Sequence, residues 1–195
     1  NIFVGNRGTG NMHVFGGSTN LGGNLVIGSY SSGNGTVTVS GGSFDLAGNA
    51  IVGVTGSGTL HVSAPGALTV GTQLRVGANG TLSIEVDMSK PVGEDPYISM
   101  DSALFDEGGD YRITLTKLPQ PESPIEVTIL LLRVEQGVTE AIENINWEII
   151  GVDPSKVTLE WIDNELILKA VVPEPAAAAG VLGLMALLMA ARRRK

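Results

Sequence analysis

The 195-residue chain contains no cysteine, so neither a disulfide framework nor a thiolate metal site is open to it. Export is not excluded by this, because regular backbone hydrogen bonding can stabilise a domain without covalent staples. A basic surplus is missing too. The net charge is −8, which disfavours nucleic acid and anionic membrane surfaces as partners. Charge of either sign is scarce in the first 84 residues, where only Arg7, Asp45 and Arg75 carry it. Residues 85–172 then hold 18 acidic residues against 6 basic ones, and the last four residues are all basic. No pattern of a long helix precedes Pro173; "VTEAIEN" has room for one or two turns. Three compositional zones, 1–85, 86–172 and 173–195, imply three structural units.

What fills the first zone is a repeat. An apolar triplet closed by glycine recurs as "IFVG", "LVIG", "AIVG" and "LRVG", with the glycines at Gly5, Gly28, Gly53 and Gly77. A second block recurs as "GNMHV", "GTVTV", "GTLHV" and "GTLSI", and a third as "GGSTNL", "GGSFDL" and "PGALTV". In the second block the period-two alternation sets Met12, Val37, Leu60 and Leu82 in one inward column and Val14, Val39, Val62 and Ile84 in another. Asn11, Thr36, Thr59 and Thr81 alternate with them and point outward. In the third block Thr19, Phe44 and Leu68 face in, followed by Leu21, Leu46 and Val70.

Three short strands per coil of about 24 residues, tight glycine corners and aligned apolar columns describe a parallel β-helix. Roughly three and a half coils are expected by this pattern. If Leu25 and Ile27 face in, Phe3, Val26 and Ile51 form an apolar column on the outside, a candidate lateral contact or a strand twisted enough to hide both faces. Position 1 is Asn, and no signal peptide pattern opens the chain; with the exported tail read below, the expectation is the C-terminal part of a longer precursor whose upper coil continues or is capped.

After Glu85 the glycine repeat stops, yet "YISMDSALF", "DYRITLTKL", "IEVTILLLRV", "INWEII", "KVTLEW" and "ELILKAV" all read as strands. "WIDNELIL" is a hairpin with Asp163-Asn164 at its turn, since both residues tolerate left-handed backbone. Antiparallel strands closing the lower end of the β-helix, or a small separate β domain, account for this zone.

Chemistry is thinly represented. A β-helix invites comparison with pectate lyases, which need several charged groups converging in an outer groove; the repeat zone offers one carboxylate, Asp45. His13 and His61 occupy the same place in the second block with Thr38 between them, two coils or about 9.6 Å apart, too far for one zinc ion. Asp106, Glu107 and Asp110 crowd one turn without an EF-hand spacing. "GVTGSG" lacks the lysine and following helix of a phosphate loop, and the "NGT" sequons at Asn34 and Asn79 coincide with corners that favour Asn-Gly. With two histidines, both on the outer face, a Ser-His-Asp triad lacks material. No catalytic, cofactor-binding or metal-binding residues are assigned.

The tail is the most specific feature. Pro173-Glu174-Pro175 ends the folded body, because proline continues neither a strand interior nor a helix. Ala176 to Ala191 carries no charge, and as a helix it would span about 24 Å, slightly less than a bilayer core. Thinning and snorkelling of Arg192, Arg193, Arg194 and Lys195 can absorb the mismatch. Those four residues favour the cytoplasmic side, which puts the body outside.

Motif, short apolar helix and basic end, Val172 to Lys195, together resemble the PEP-CTERM sorting signal of bacterial exported proteins. The resemblance implies recognition by an exosortase, a membrane-embedded cysteine transpeptidase, with Pro173, Glu174 and Pro175 as the residues it reads. It further implies transient anchoring in the inner membrane, then the cell surface or extracellular matrix, often alongside exopolysaccharide. The glycine-rich coils also resemble autotransporter-type repeats of adhesin-like proteins, although no C-terminal barrel follows. The expectation is a non-enzymatic structural or adhesive protein that meets polysaccharide or other surface proteins. The alternative is a polysaccharide lyase or hydrolase whose site lies mostly upstream of Asn1.

Overall fold

A computed structural model describes residues 1–89, 95–118, 125–136 and 145–172. The architecture is all-β, a parallel β-solenoid of about four turns. Its strands are β1 (Ile2–Val4), β2 (Thr9–Leu21), β3 (Leu25–Ile27), β4 (Asn34–Leu46), β5 (Ala50–Val52), β6 (Ser57–Ser63) and β7 (Ala67–Val76). They continue as β8 (Gly80–Asp87), β9 (Ile98–Phe105), β10 (Asp110–Thr116), β11 (Ile125–Val134), β12 (Glu148–Ile150), β13 (Val157–Ile162) and β14 (Glu165–Val172).

Three faces run along the rod. Face A stacks β1, β3, β5 and the ends of β7 and β9, in the register Ile2–Leu25–Ala50–Leu74–Ala103. Face B stacks the first half of β2, the first half of β4, then β6, β8, β10 and β12. Face C stacks the second halves of β2 and β4 on the starts of β7 and β9, then the end of β11. All of these pairings are parallel, as expected when each coil repeats the path of the one above.

The inward columns are those of the alternation. Val37, Leu60 and Leu82 are in register and fully buried, and so are Val39, Val62 and Ile84. Thr19, Phe44, Leu68 and Ile98 form the third column, with Leu21, Leu46, Val70 and Met100 beside it. A single core therefore runs the length of the rod, and each coil buries the apolar edge of its neighbours.

Two features differ from the pattern of three separate strands per coil. The second and third blocks merge into one bent strand in β2 and β4, with the register shifting between Val14 and Ser18. The second of two consecutive glycines lies at each bend with left-handed backbone, φ 72° at Gly17 and 70° at Gly42, so the chain turns without leaving the ladder. The glycines that close face A are demanded more strictly. Gly5, Gly28 and Gly53 have φ of 67°, 71° and 61°, and a Cβ on any of them would lie 2.2–2.3 Å from backbone of the coil below.

The parallel ladder also outlasts the glycine repeat. β10 pairs with β8 from Asp110↔Thr81 to Thr116↔Asp87, and β12 then pairs with β10. Tyr111 and Ile113 continue the inward columns of Leu82 and Ile84. Face C alone changes direction: β14 is antiparallel to β11, and β13 antiparallel to β14. The turn between β13 and β14 has Asp163 and Asn164 at φ 48° and 68°, the hairpin expected there. Among the described residues there is no α-helix, only a 3₁₀ turn at Pro154–Lys156 capped by Asp153. None is long and apolar enough to cross a membrane. The tail helix expected at 176–191 and the short helix over "VTEAIEN" lie outside the described residues.

Candidate functional site: the outer face of the rod

Because strands alternate, every inward column of the solenoid has an outward one beside it. On face A the outward column is Phe3, Val26, Ile51, Arg75 and Leu104. Phe3 is 54 % exposed and Leu104 42 % exposed, while Val26 and Ile51 are half-buried. The expected apolar column is therefore present, and Arg75 interrupts it, reaching Asp106 at 3.9 Å. Beside this face a side-chain ladder climbs the corner. The backbone N–H of Asn24 donates to Asn1 Oδ1 and that of Asn49 to Asn24 Oδ1, each at 2.8 Å. Its signal in the sequence is an asparagine one residue before each of the first three apolar triplets, which the pattern of apolar blocks overlooks.

Face B is built mostly from longer strands than face A. One outward column runs Asn11, Thr36, Thr59, Thr81 and Asp110; the next runs His13, Thr38, His61, Ser83, Arg112 and Glu148. The two histidines are two coils apart with Thr38 between them, as their spacing predicts. His13 Nε2 is held by Ser40 Oγ at 2.7 Å, and its ring meets Phe15 edge to face with centroids 5.1 Å apart. His61 Nδ1 lies 3.1 Å from Ser83 Oγ, and Nε2 lies 3.6 Å from Glu85 Oε2. Burial lowers the His61 pKa and outweighs the opposing pull of Glu85, so the ring is neutral near pH 7.

The lower end of face B gathers charge that the glycine blocks do not contain. Arg112 bridges Asp110 and Glu148. Asp87 accepts from Lys117 Nζ at 2.8 Å and from Ser89 Oγ at 2.6 Å. These two partners hold its carboxyl at about 2, with desolvation a smaller opposing effect. The buried Tyr97 hydroxyl nearby is pushed up to about 12, by burial first and then by the Asp87 charge. Asp87, Arg112, Lys117 and Glu148 reach this face only because the ladder continues past Glu85. Two histidine-containing blocks, spaced as the repeat dictates, hinted at His61; nothing in the local sequence links Lys117 to Asp87, which lies 30 positions away.

Other sequence candidates sit apart. Asp45 lies outward on face C and accepts from Ser43 at 3.1 Å. Asp106 and Glu107 lie in the corner between β9 and β10, where Asp106 faces Arg75, while Asp110 opens β10 on face B and faces Arg112. Among the described residues no three His, Asp or Glu side chains converge as a metal site. Asn34 and Asn79 are exposed at the corner entering face B, and "GVTGSG" is the corner between β5 and β6. Pro173, Glu174, Pro175, Arg192, Arg193, Arg194 and Lys195 lie outside the described residues. Comparisons with family models, curated proteins and solved structures return no match for this chain.

Proposed function

We propose that this chain is an exported, surface-sorted structural or adhesin-like protein, and that its C-terminal signal is read and processed by an exosortase. The observation that carries the reading is the order of features in the sequence after the last strand among the described residues. β14 ends at Val172; Pro173-Glu174-Pro175 follows at once, then sixteen uncharged residues, then Arg192 to Lys195. A rod that completes its ladder before such a segment is a passenger that can be cut free without disturbing its core. Before processing, the uncharged stretch anchors the chain in the inner membrane with the body outside the cytoplasm. After it, the rod stands at the cell surface or in the matrix, where extracellular polysaccharide and other surface proteins are its partners.

On the described part of face B, Asp87, Asp110 and Glu148 each have a basic partner, and Glu85 stands beside His61 without a second unpaired carboxylate. Acid–base cleavage of a glycan uses a pair of carboxyl groups, so this arrangement favours the structural reading over a polysaccharide lyase or hydrolase. Intact-mass measurement of the native protein recovered from the cell surface tests the sorting. The expected mass lacks the basic end; a mature surface protein that still carries RRRK overturns the proposal.

A further inference from the structure

We draw no further inference here: the strongest candidate, the side-chain cluster of His61, Ser83 and Glu85 between β6 and β8 on face B, belongs to the outer face already described, where these contacts tie neighbouring coils together and nothing among the described residues shows what ligand they would meet.

Discussion

The upper coils, to about residue 84, and the lower coils, from 85 to 172, reach the same parallel geometry by different chemistry. Above, glycine lets corners of adjacent coils touch backbone to backbone, and few side chains carry charge. Below, Gly151 is the one left-handed glycine among the described residues, and ion pairs tie the outer surface: Lys117 to Asp87, Arg112 to Asp110 and Glu148, Arg133 to Glu165, and Lys169 to Glu160. The lower core is also filled differently. Tyr111 packs between Phe105 and Trp147, with ring centroids 5.3 and 5.6 Å away. What persists through both regions is the inward column on each face. The solenoid is thus specified by buried alternation, and glycine is a local requirement of close corners.

The sharpest way to break that comparison is one substitution placed in both regions. Gly28→Ala forces a side chain into left-handed backbone with its Cβ 2.2 Å from the Ser57 carbonyl, and a loss of at least about 3 kcal/mol in urea unfolding is expected. Gly108→Ala, at a lower corner, brings its Cβ no closer than 3.0 Å to the Ala78 methyl; less than about 1 kcal/mol should be lost. Equal effects at the two sites would mean that the corners are built alike.

A smaller effect separates the regions by pH. Asp87 titrates at about 2 in the folded chain against an ordinary value of 3.8. A depressed carboxyl contributes stability that is present above the unfolded value and lost as pH falls through the folded one. The Lys117 side chain, raised by the same pair, contributes in the opposite sense, with stability lost as pH rises past its ordinary 10.5. Unfolding midpoints of the parent should therefore fall between about pH 4 and pH 2 by more than those of Asp87→Asn. Parallel pH profiles for the two proteins would remove the pair as a stabilising contact.

The least effect is expected on the antiparallel sheet. Lys169→Ala removes a partly exposed pair with Glu160, at 2.6 Å and with side chains 32 % and 40 % exposed. Its expected change in urea unfolding is within about 1 kcal/mol. A larger loss would show that the hairpin of β13 and β14 leans on this pair more than on Leu159, Leu166 and Leu168 beneath it.

Much of the upper rod was legible residue by residue. Met12, Val37, Leu60 and Leu82 align in sequence because the coil length barely varies, and in the structure they align in space for the same reason. The Phe3, Val26 and Ile51 column follows from the same count. Past Glu85 the count fails: Leu74 pairs with Ala103, 29 positions on, whereas Ala50 pairs with Leu74 only 24 on. The longer excursion between β8 and β9 erases the period, so the strands that follow read as an antiparallel cap or a separate small β domain. In the structure β9, β10, β11 and β12 continue the parallel ladder, and among the described strands only β13 and β14 are antiparallel. The bending of β2 and β4 through Gly17 and Gly42 was equally hidden, because a glycine pair signals a corner whether or not the ladder survives it.

By itself the sequence determined which side chains alternate in and out, since a strand's period of two is a local property of its backbone. It also determined the order of rod, motif, uncharged stretch and basic end. Only the tertiary structure decided which outward residues share a face: that Phe15 leans on His13, that Lys117 finds Asp87, and that charge gathers at one end of face B. Those neighbours are set by how far the chain travels before it returns, and the length of that return is fixed by loops whose residues carry no periodic mark.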